Sequence, residues 1–87
     1  MDLQIFKTLV KTNAYHIHSA KEVPFHRHTE TDEIFYCIKG EGYGLLEDGS
    51  EQELYVGKAF IVPAGVKHSL RSDSDLYVCS ILIPKTL

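Results

Sequence analysis

The sequence has few of the features that mark a disulfide-rich, nucleic-acid-binding or membrane protein. Its two cysteines, Cys37 and Cys79, form no CxxC pair, so we expect reduced core residues in a cytoplasmic protein. No run of Lys or Arg occurs and the formal net charge is −3, which argues against a nucleic-acid partner. No apolar segment reaches membrane-span length, and the first residues lack the basic region of a signal peptide. We therefore expect no membrane partner either.

The length of the chain and its composition predict one small globular domain, 1–87. At 87 residues a hydrophobic core is only just large enough to hold a fold. Hydrophobic residues make up 44% and charged residues 24%, as in ordinary globular proteins. No internal repeat or linker divides the sequence, so we expect neither a second barrel nor an attached DNA-binding module.

Apolar residues alternate with a period of two along nearly the whole chain, and no stretch shows a helical face. Turn-forming residues separate the alternating stretches at short intervals. This pattern predicts an all-β sandwich or barrel of many short strands. The predicted strands are 5–10, 14–18, 25–28, 33–39, 41–47, 50–56, 59–62, 67–72 and 76–83.

Asp48-Gly49 is the strongest turn signal, because this pair suits a two-residue type I′ hairpin. Pairing outward from the turn places Leu45 opposite Gln52 and Tyr43 opposite Leu54. We therefore expect Glu51 and Glu53 to be solvated, and the inner face to carry Tyr43, Leu45, Leu54 and Val56.

The strands 33–39 and 76–83 are apolar on both faces. Such strands belong to a packed sheet or lie at a subunit contact. In so small a chain, a second copy is a natural cover for the outer apolar face, so we predict a homodimer.

Two histidine patterns are the most informative feature of the sequence. The first comprises His26-Arg27-His28, Glu33 and Gly40, and the second comprises Gly57, Pro63, Gly65 and His68. In order and separation they resemble the two motifs of the cupin superfamily, which implies a jelly-roll barrel, the cupin-type double-stranded β-helix. The resemblance also implies a set of metal ligands, His26, His28, Glu33 and His68. Ala20 and Ser72 depart from the family pattern, at turn or packing positions.

The physical chemistry of these residue types agrees with that implied site. His26 and His28 would share one face of a strand, and the Glu33 carboxylate would offset part of the charge of a cation. The turn around Pro63 would deliver His68 to the inner face. We expect one divalent transition metal per chain, with Mn, Fe, Ni, Co, Cu and Zn left open.

A rival pattern, His16-Ile17-His18 followed by Glu22, lacks the later glycine and a following apolar strand. We interpret it as surface or barrel-rim histidines, because an isolated HxH has little specificity. The four residues of the main set could instead be satisfied polar core residues, an interpretation that their combined spacing disfavours. The tyrosines are more often packing residues, although one facing the barrel could hydrogen-bond a ligand.

These observations support a metal-dependent enzyme acting on an oxygen-rich small molecule, of the dioxygenase, decarboxylase, lyase or isomerase type. The alternative is a metal-dependent module that binds a small molecule without turning it over, since no general base is evident beyond the ligands. A barrel with relic histidines is a third, weaker hypothesis. Fold alone does not choose among them.

Overall fold

The structure, a computed structural model, describes residues 3–21 and 23–86 and is built almost entirely from strands. The prediction of an all-β fold is confirmed. None of the helices within the described ranges is long and apolar enough to cross a membrane. In chain order the elements are α1 (Leu3–Leu9), β1 (Lys11–His18), β2 (Thr31–Leu46), β3 (Glu51–Tyr55), β4 (Ala59–Val62), β5 (His68–Arg71) and β6 (Asp75–Pro84).

The 16-residue strand β2 organises the fold, because it takes part in two sheets. Its first half pairs with β6 and β4, and β6 in turn pairs with β1. Its second half pairs with β3 and β5. The predicted strands 33–39 and 41–47 are therefore one continuous strand, and all of these pairings are antiparallel.

The core draws residues from both sheets. Cys37 and Cys79 are free thiols on neighbouring strands, as the sequence predicts. Cys37 is a buried core residue as expected, whereas Cys79 is half-buried on the opposite face of the sheet, so the prediction of a core residue is wrong for Cys79. Burial raises the pKa of the Cys37 thiol. The buried apolar residues are Ile17, Phe35, Cys37, Leu54, Phe60, Val62, Leu70, Leu76 and Val78.

A bulge between Cys37 and Lys39 reverses which side chains of β2 face inward. Phe35 and Cys37 are buried before it, whereas the buried positions after it are Gly42 and Gly44. The expectation that Tyr43 and Leu45 point into the core is therefore wrong, and both lie half-buried on the other face.

The hairpin register also differs from the prediction by one residue. Leu45 pairs with Glu51, because the loop has three residues, 47–49, closed by a hydrogen bond from the Leu46 N–H to the Ser50 carbonyl. A type I′ turn needs positive φ at two residues, and here only Gly49 has it. Leu54 is buried and Glu51 and Glu53 are exposed, as expected. Val56 is exposed, which is contrary to expectation.

Two of the predicted strands are wrong. The segment 5–10 forms most of α1, so the expectation that no stretch is helical is also wrong. Periodicity does not separate a helix from a strand in an apolar run this short. The segment 25–28 is not a strand but a single antiparallel bridge between His26 and His68.

The outer face of the sheet that contains β1, β6 and β4 is apolar. Ile34 of β2 has Ile81 and Ile61 as its two register partners, and Tyr36 has Cys79 and Ala59. Tyr36 is 44% exposed and Ile61 is 65% exposed. The two apolar faces predicted for 33–39 and 76–83 are thus present, and the outer one lies open in the isolated chain.

Gly40 and Gly49 both have positive φ, but only Gly40 lies against other backbone. A Cβ at Gly40 would collide with the carbonyl oxygen of Asp75, whereas one at Gly49 would meet nothing within 4 Å. We expect Gly49→Ala to lower the free energy of unfolding by about 1 kcal/mol through backbone strain alone. Gly40→Ala should lower the free energy of unfolding by at least about 2 kcal/mol more than Gly49→Ala does, because its Cβ also collides with the backbone of Asp75. Equal losses in urea unfolding would show that this close approach does not constrain the fold.

The open apolar face carries the prediction of a homodimer. We expect light scattering at micromolar concentration to give twice the mass of one chain. Ile61→Lys should shift the protein to monomer, because it places a charge on the face to be covered. Glu53→Lys, an exposed position on β3 of the other sheet, is the control and should leave the dimer intact. A monomer mass for the wild type across a dilution series would contradict the prediction.

Candidate metal centre

A two-way backbone bridge joins the two histidine motifs. The N–H of His26 donates to the carbonyl of His68 at 3.1 Å, and the N–H of His68 donates to the carbonyl of His26 at 2.9 Å. His26 lies in the connection that leads into β2, whereas His68 is the first residue of β5. The bridge therefore fixes residues 42 positions apart in sequence side by side, with ring centroids 4.4 Å apart.

Glu33 is the acidic residue at the centre of the cluster and is only 3% exposed. Its Oε1 lies 2.9 Å from His68 Nε2 and 3.3 Å from His28 Nε2. Its Oε2 accepts a hydrogen bond of 2.5 Å from the Ser80 hydroxyl on β6. Both carboxylate oxygens thus have close partners, from β5, from β6 and from the segment before β2, as a buried charge requires.

The ring orientation of two of the histidines is set by backbone carbonyls. His26 Nδ1 lies 3.1 Å from the Pro24 carbonyl, and His68 Nδ1 lies 2.9 Å from the Val66 carbonyl. A carbonyl only accepts hydrogen bonds, so each Nδ1 carries the proton and donates it. Nε2 is then the nitrogen left for a ligand, which is the arrangement typical of metal-binding histidines.

The spacing of the donor atoms suits one ion. One ligand atom from each of His26, His28, Glu33 and His68 lies within 4.8 Å of all the others. Bonds of about 2.1 Å place neighbouring ligands about 3.0 Å apart at right angles and about 3.4 Å apart in a tetrahedron. The two separations from Glu33 Oε1, 2.9 and 3.3 Å, are close to these values. The structure therefore brings together all four residues that the sequence singles out.

Burial and hydrogen bonding oppose each other at Glu33 and His68. Burial alone would raise the pKa of Glu33, but the hydrogen bonds from His68 and Ser80 and the nearby imidazoles together lower it below its ordinary 4.5. Burial alone would lower the pKa of His68, but its bond to Glu33, supported by the Val66 carbonyl, raises it above 6.5. In the metal-free protein, then, a proton on Nε2 bridges the pair, and a metal would replace that proton.

A cavity of about 250 Å³ leads to the cluster. Glu33 and His68 lie at its buried end, whereas His28 is half-buried and His26 is exposed. A small molecule could therefore reach the ligand atoms from one side. The apolar walls are formed by Ile17, Val23, Pro24, Phe35, Leu70 and Leu82.

The rival histidine pair lies at the rim, as the sequence predicts. His16 and His18 are on β1, and His16 Nε2 pairs with Asp75 Oδ1 at 2.7 Å. The His16 ring also stacks on Tyr77 at 4.2 Å. Glu22, the proposed third member of the rival set, lies outside the described residues. Over the ranges that the structure describes, the main cluster is the one group of three or more possible ligands that converge.

Sequence analysis missed Ser80, which orients the carboxylate of Glu33. Ser80 is 47 residues from Glu33 and belongs to no recognisable motif. Its place becomes clear only from the register of β2 with β6, where it lies opposite Phe35. The two departures from the family pattern leave the cluster intact. Ala20 lies in an exposed turn, and the Ser72 hydroxyl binds the Glu41 carbonyl and the Ser74 N–H.

The Glu33–His68 pair should give the metal-free protein a characteristic pH dependence. The lowered pKa of Glu33 favours the folded state above pH 4.5 and this stability is lost as the pH falls. The raised pKa of His68 favours the folded state below pH 6.5 and this stability is lost as the pH rises through the folded-state value. Between these values the pair contributes fully.

We therefore expect the difference in unfolding free energy between wild type and Glu33→Gln, measured in urea with a chelator, to shrink as the pH rises from between 4.5 and 6.5 to well above 6.5. A difference that grows over this interval would mean that His68 is not held protonated by Glu33.

Comparison with known proteins places this fold and cluster in a family. The cupin domain model matches residues 14–83. Acireductone dioxygenase 2 of rice, Oryza sativa subsp. indica, is 39% identical in an alignment of length 59 that covers 62% of this chain and 30% of the relative. The chain thus spans about a third of the length of that relative.

Solved structures show the same fold at low sequence identity. A predicted oxalate decarboxylase from Thermotoga maritima has a TM-score of 0.78 at 20% identity. The superposed region covers 97% of this chain and 75% of the Thermotoga chain. A DMSP lyase from Ruegeria pomeroyi has a TM-score of 0.79 at 22% identity, and the superposed region covers 87% of this chain and 39% of the lyase chain. With the double-stranded β-helix expected for that family and both of its motifs in place, the chain belongs to the cupin family.

Proposed function

We propose that this cupin binds one divalent transition metal ion through His26, His28, Glu33 and His68 and uses it to hold an oxygen-rich small molecule. The observation that carries the proposal is the convergence of the four ligand atoms at the buried end of an open cavity. Mn, Fe, Ni, Co, Cu and Zn all accept imidazole and carboxylate ligands, so the donor set does not select one.

Three imidazoles and a carboxylate fill four positions, and an ion that prefers six retains two for a ligand. When bound, such an ion supplies Lewis acidity or activates dioxygen. The protein holds the ligand set in place. The Pro24 and Val66 carbonyls orient two imidazoles, and Ser80 holds the carboxylate oxygen that faces away from the histidines. The apolar walls limit the access of water to the bound molecule.

The favoured function is that of an enzyme of the dioxygenase, decarboxylase, lyase or isomerase type. The resemblance to an acireductone dioxygenase supports it, because a reductone is an enediol, whose two adjacent oxygens match two open metal positions. The matched region covers 30% of that relative, so the reaction itself is an inference for this chain. Oxygen consumption and product analysis with enediol and hydroxy-acid substrates test it directly.

The second candidate is a module that binds the ligand without converting it. Two observations favour it. The hairpin loop 47–49 is too short to offer an insertion over the cavity. Among the described residues that line the cavity, the ligand Glu33 is the one carboxylate, and the histidine outside the cluster, His16, is paired with Asp75. A metal-loaded protein that binds an enediol tightly and yields no product would favour this candidate.

Metal analysis of variants tests the ligand set. We expect the double variant His28→Ala/His68→Ala, purified without a nickel column, to lose its metal, because two of four donors are gone. His16→Ala/His18→Ala is the matched control, since it removes the other HxH pair, and it should retain a full complement. The reverse pattern would place the metal at the rim pair.

Glu33→Gln separates charge from shape at the same site. It should retain most of the fold while weakening metal affinity, because it removes the negative charge at nearly constant volume. Binding of metal and ligand as tight as in wild type would argue that the carboxylate is not a ligand.

A further inference from the structure

Tyr15 lies on the inner face of β1 at the cavity. It is two residues from Ile17, which is 3% exposed, and its register partner on β6 is Val78, which is fully buried. Residues two apart on a strand share a face. Tyr15 is nevertheless 46% exposed, and it lines the cavity that leads to the metal cluster. An inward-facing tyrosine can be so exposed only where the barrel opens.

Lys21 lines the same cavity, so its ammonium group and the Tyr15 hydroxyl are two polar groups that a ligand could contact. Within 3–21 and 23–86, neither group has a hydrogen bond or an ion pair. The other polar lining residues outside the cluster are occupied. His16 pairs with Asp75, and the Ser69 hydroxyl donates to the Val23 carbonyl at 2.6 Å. Two donors therefore remain for a ligand.

The cavity attracts negative charge. Glu33 is the single acidic residue among the described residues that line it, and Lys21 is the single lysine. With a divalent ion beside Glu33, the site carries an excess of positive charge in partly apolar surroundings, where the field is weakly screened. A neutral ligand would leave that charge uncompensated.

The size and the walls of the cavity restrict which negatively charged ligands fit. Its volume of about 250 Å³ corresponds to about eight water molecules at about 30 Å³ each. The lining combines the buried ligands Glu33 and His68, apolar side chains, and the exposed residues Tyr15 and Lys21. A fitting molecule has chelating oxygens at one end, a short apolar middle and an acceptor group at the other end. Lys21 supplies one positive charge, which matches the single negative charge of a carboxylate better than the charge of about −1.5 to −2 on a phosphate ester.

We infer that Tyr15 and Lys21 are specificity-determining residues that bind a second carboxylate of the ligand, so that the ligand class is a small dicarboxylic acid with a chelating oxygen pair at one end. This inference deepens the proposed function and rests on it. It also assigns a role to a tyrosine that would otherwise be a packing residue.

A matched pair of ligands tests the inference on the Co(II)-loaded protein, whose visible spectrum reports ligand binding. Malate and 2-hydroxy-4-methylpentanoate have the same hydroxy-acid head and the same number of non-hydrogen atoms, but an isopropyl group replaces the second carboxylate in the latter. At constant ionic strength we expect malate to bind the wild type roughly tenfold more tightly, because hydrogen bonds to a charged group are the strong ones.

Variants at the two residues should remove this preference and little else. Lys21→Gln should bring the two dissociation constants to near equality, and Tyr15→Phe should reduce the ratio to about threefold. Both should retain the metal content and the affinity for 2-hydroxy-4-methylpentanoate. Lys58→Gln, an exposed lysine outside the cavity lining, is the control and should keep the wild-type ratio.

The outcomes separate this inference from the proposed function. Binding of both ligands by wild type without preference for malate, or equal weakening of both by Lys21→Gln, would overturn the assignment of Tyr15 and Lys21 alone. If neither ligand perturbed the Co(II) spectrum, the proposed open metal site would fail as well.

Discussion

The buried carboxylate of Glu33 is the constraint on which the rest of the site depends. An ionised group that is 3% exposed is stable only with close partners, and here they come from three separate parts of the chain. His28 precedes β2, His68 begins β5 and Ser80 lies within β6. The interactions that satisfy this charge therefore also hold the donor atoms within the spacing of one ion. The contacts that stabilise the fold around Glu33 are therefore the same contacts that position the candidate ligands.

The bulge in β2 is what allows one strand to serve both sheets. Before the bulge, Glu33, Phe35 and Cys37 face inward, and after it Gly42 and Gly44 do. A regular strand would have turned one of these sets toward solvent, because a shift of one residue moves every side chain to the other face. Gly40, with φ of 79°, lies just after the bulge, where β2 passes close to the backbone of Asp75. The glycine of the first motif thus serves the strand path rather than the ligand set.

The site was more predictable from the sequence than the details of the fold. His26, His28, Glu33 and His68 could be chosen because they are constrained by spacing within two short motifs, and the structure brings all four together. The inward-facing positions of β2 could not be predicted, because a bulge produces no recognisable change in an alternating sequence pattern. Ser80 could not be predicted either, because its contact with Glu33 depends on the register of β2 with β6, which the sequence pattern does not give. The helix α1 was missed because periodicity does not distinguish a helix from a strand in so short an apolar segment.

X-ray absorption spectroscopy of the metal-loaded protein, purified without a nickel column, tests the central claim most directly, because it reports the type and number of ligand atoms around the ion. The account predicts three imidazoles, one carboxylate oxygen and at least one further oxygen from water, and no bound ion in the His28→Ala/His68→Ala protein. Sulfur in the first shell would implicate Cys37 or Cys79, which lie outside the cluster. A first shell with fewer than three imidazoles, or one closed by a fifth and a sixth protein ligand, would equally contradict an open site built from these four residues.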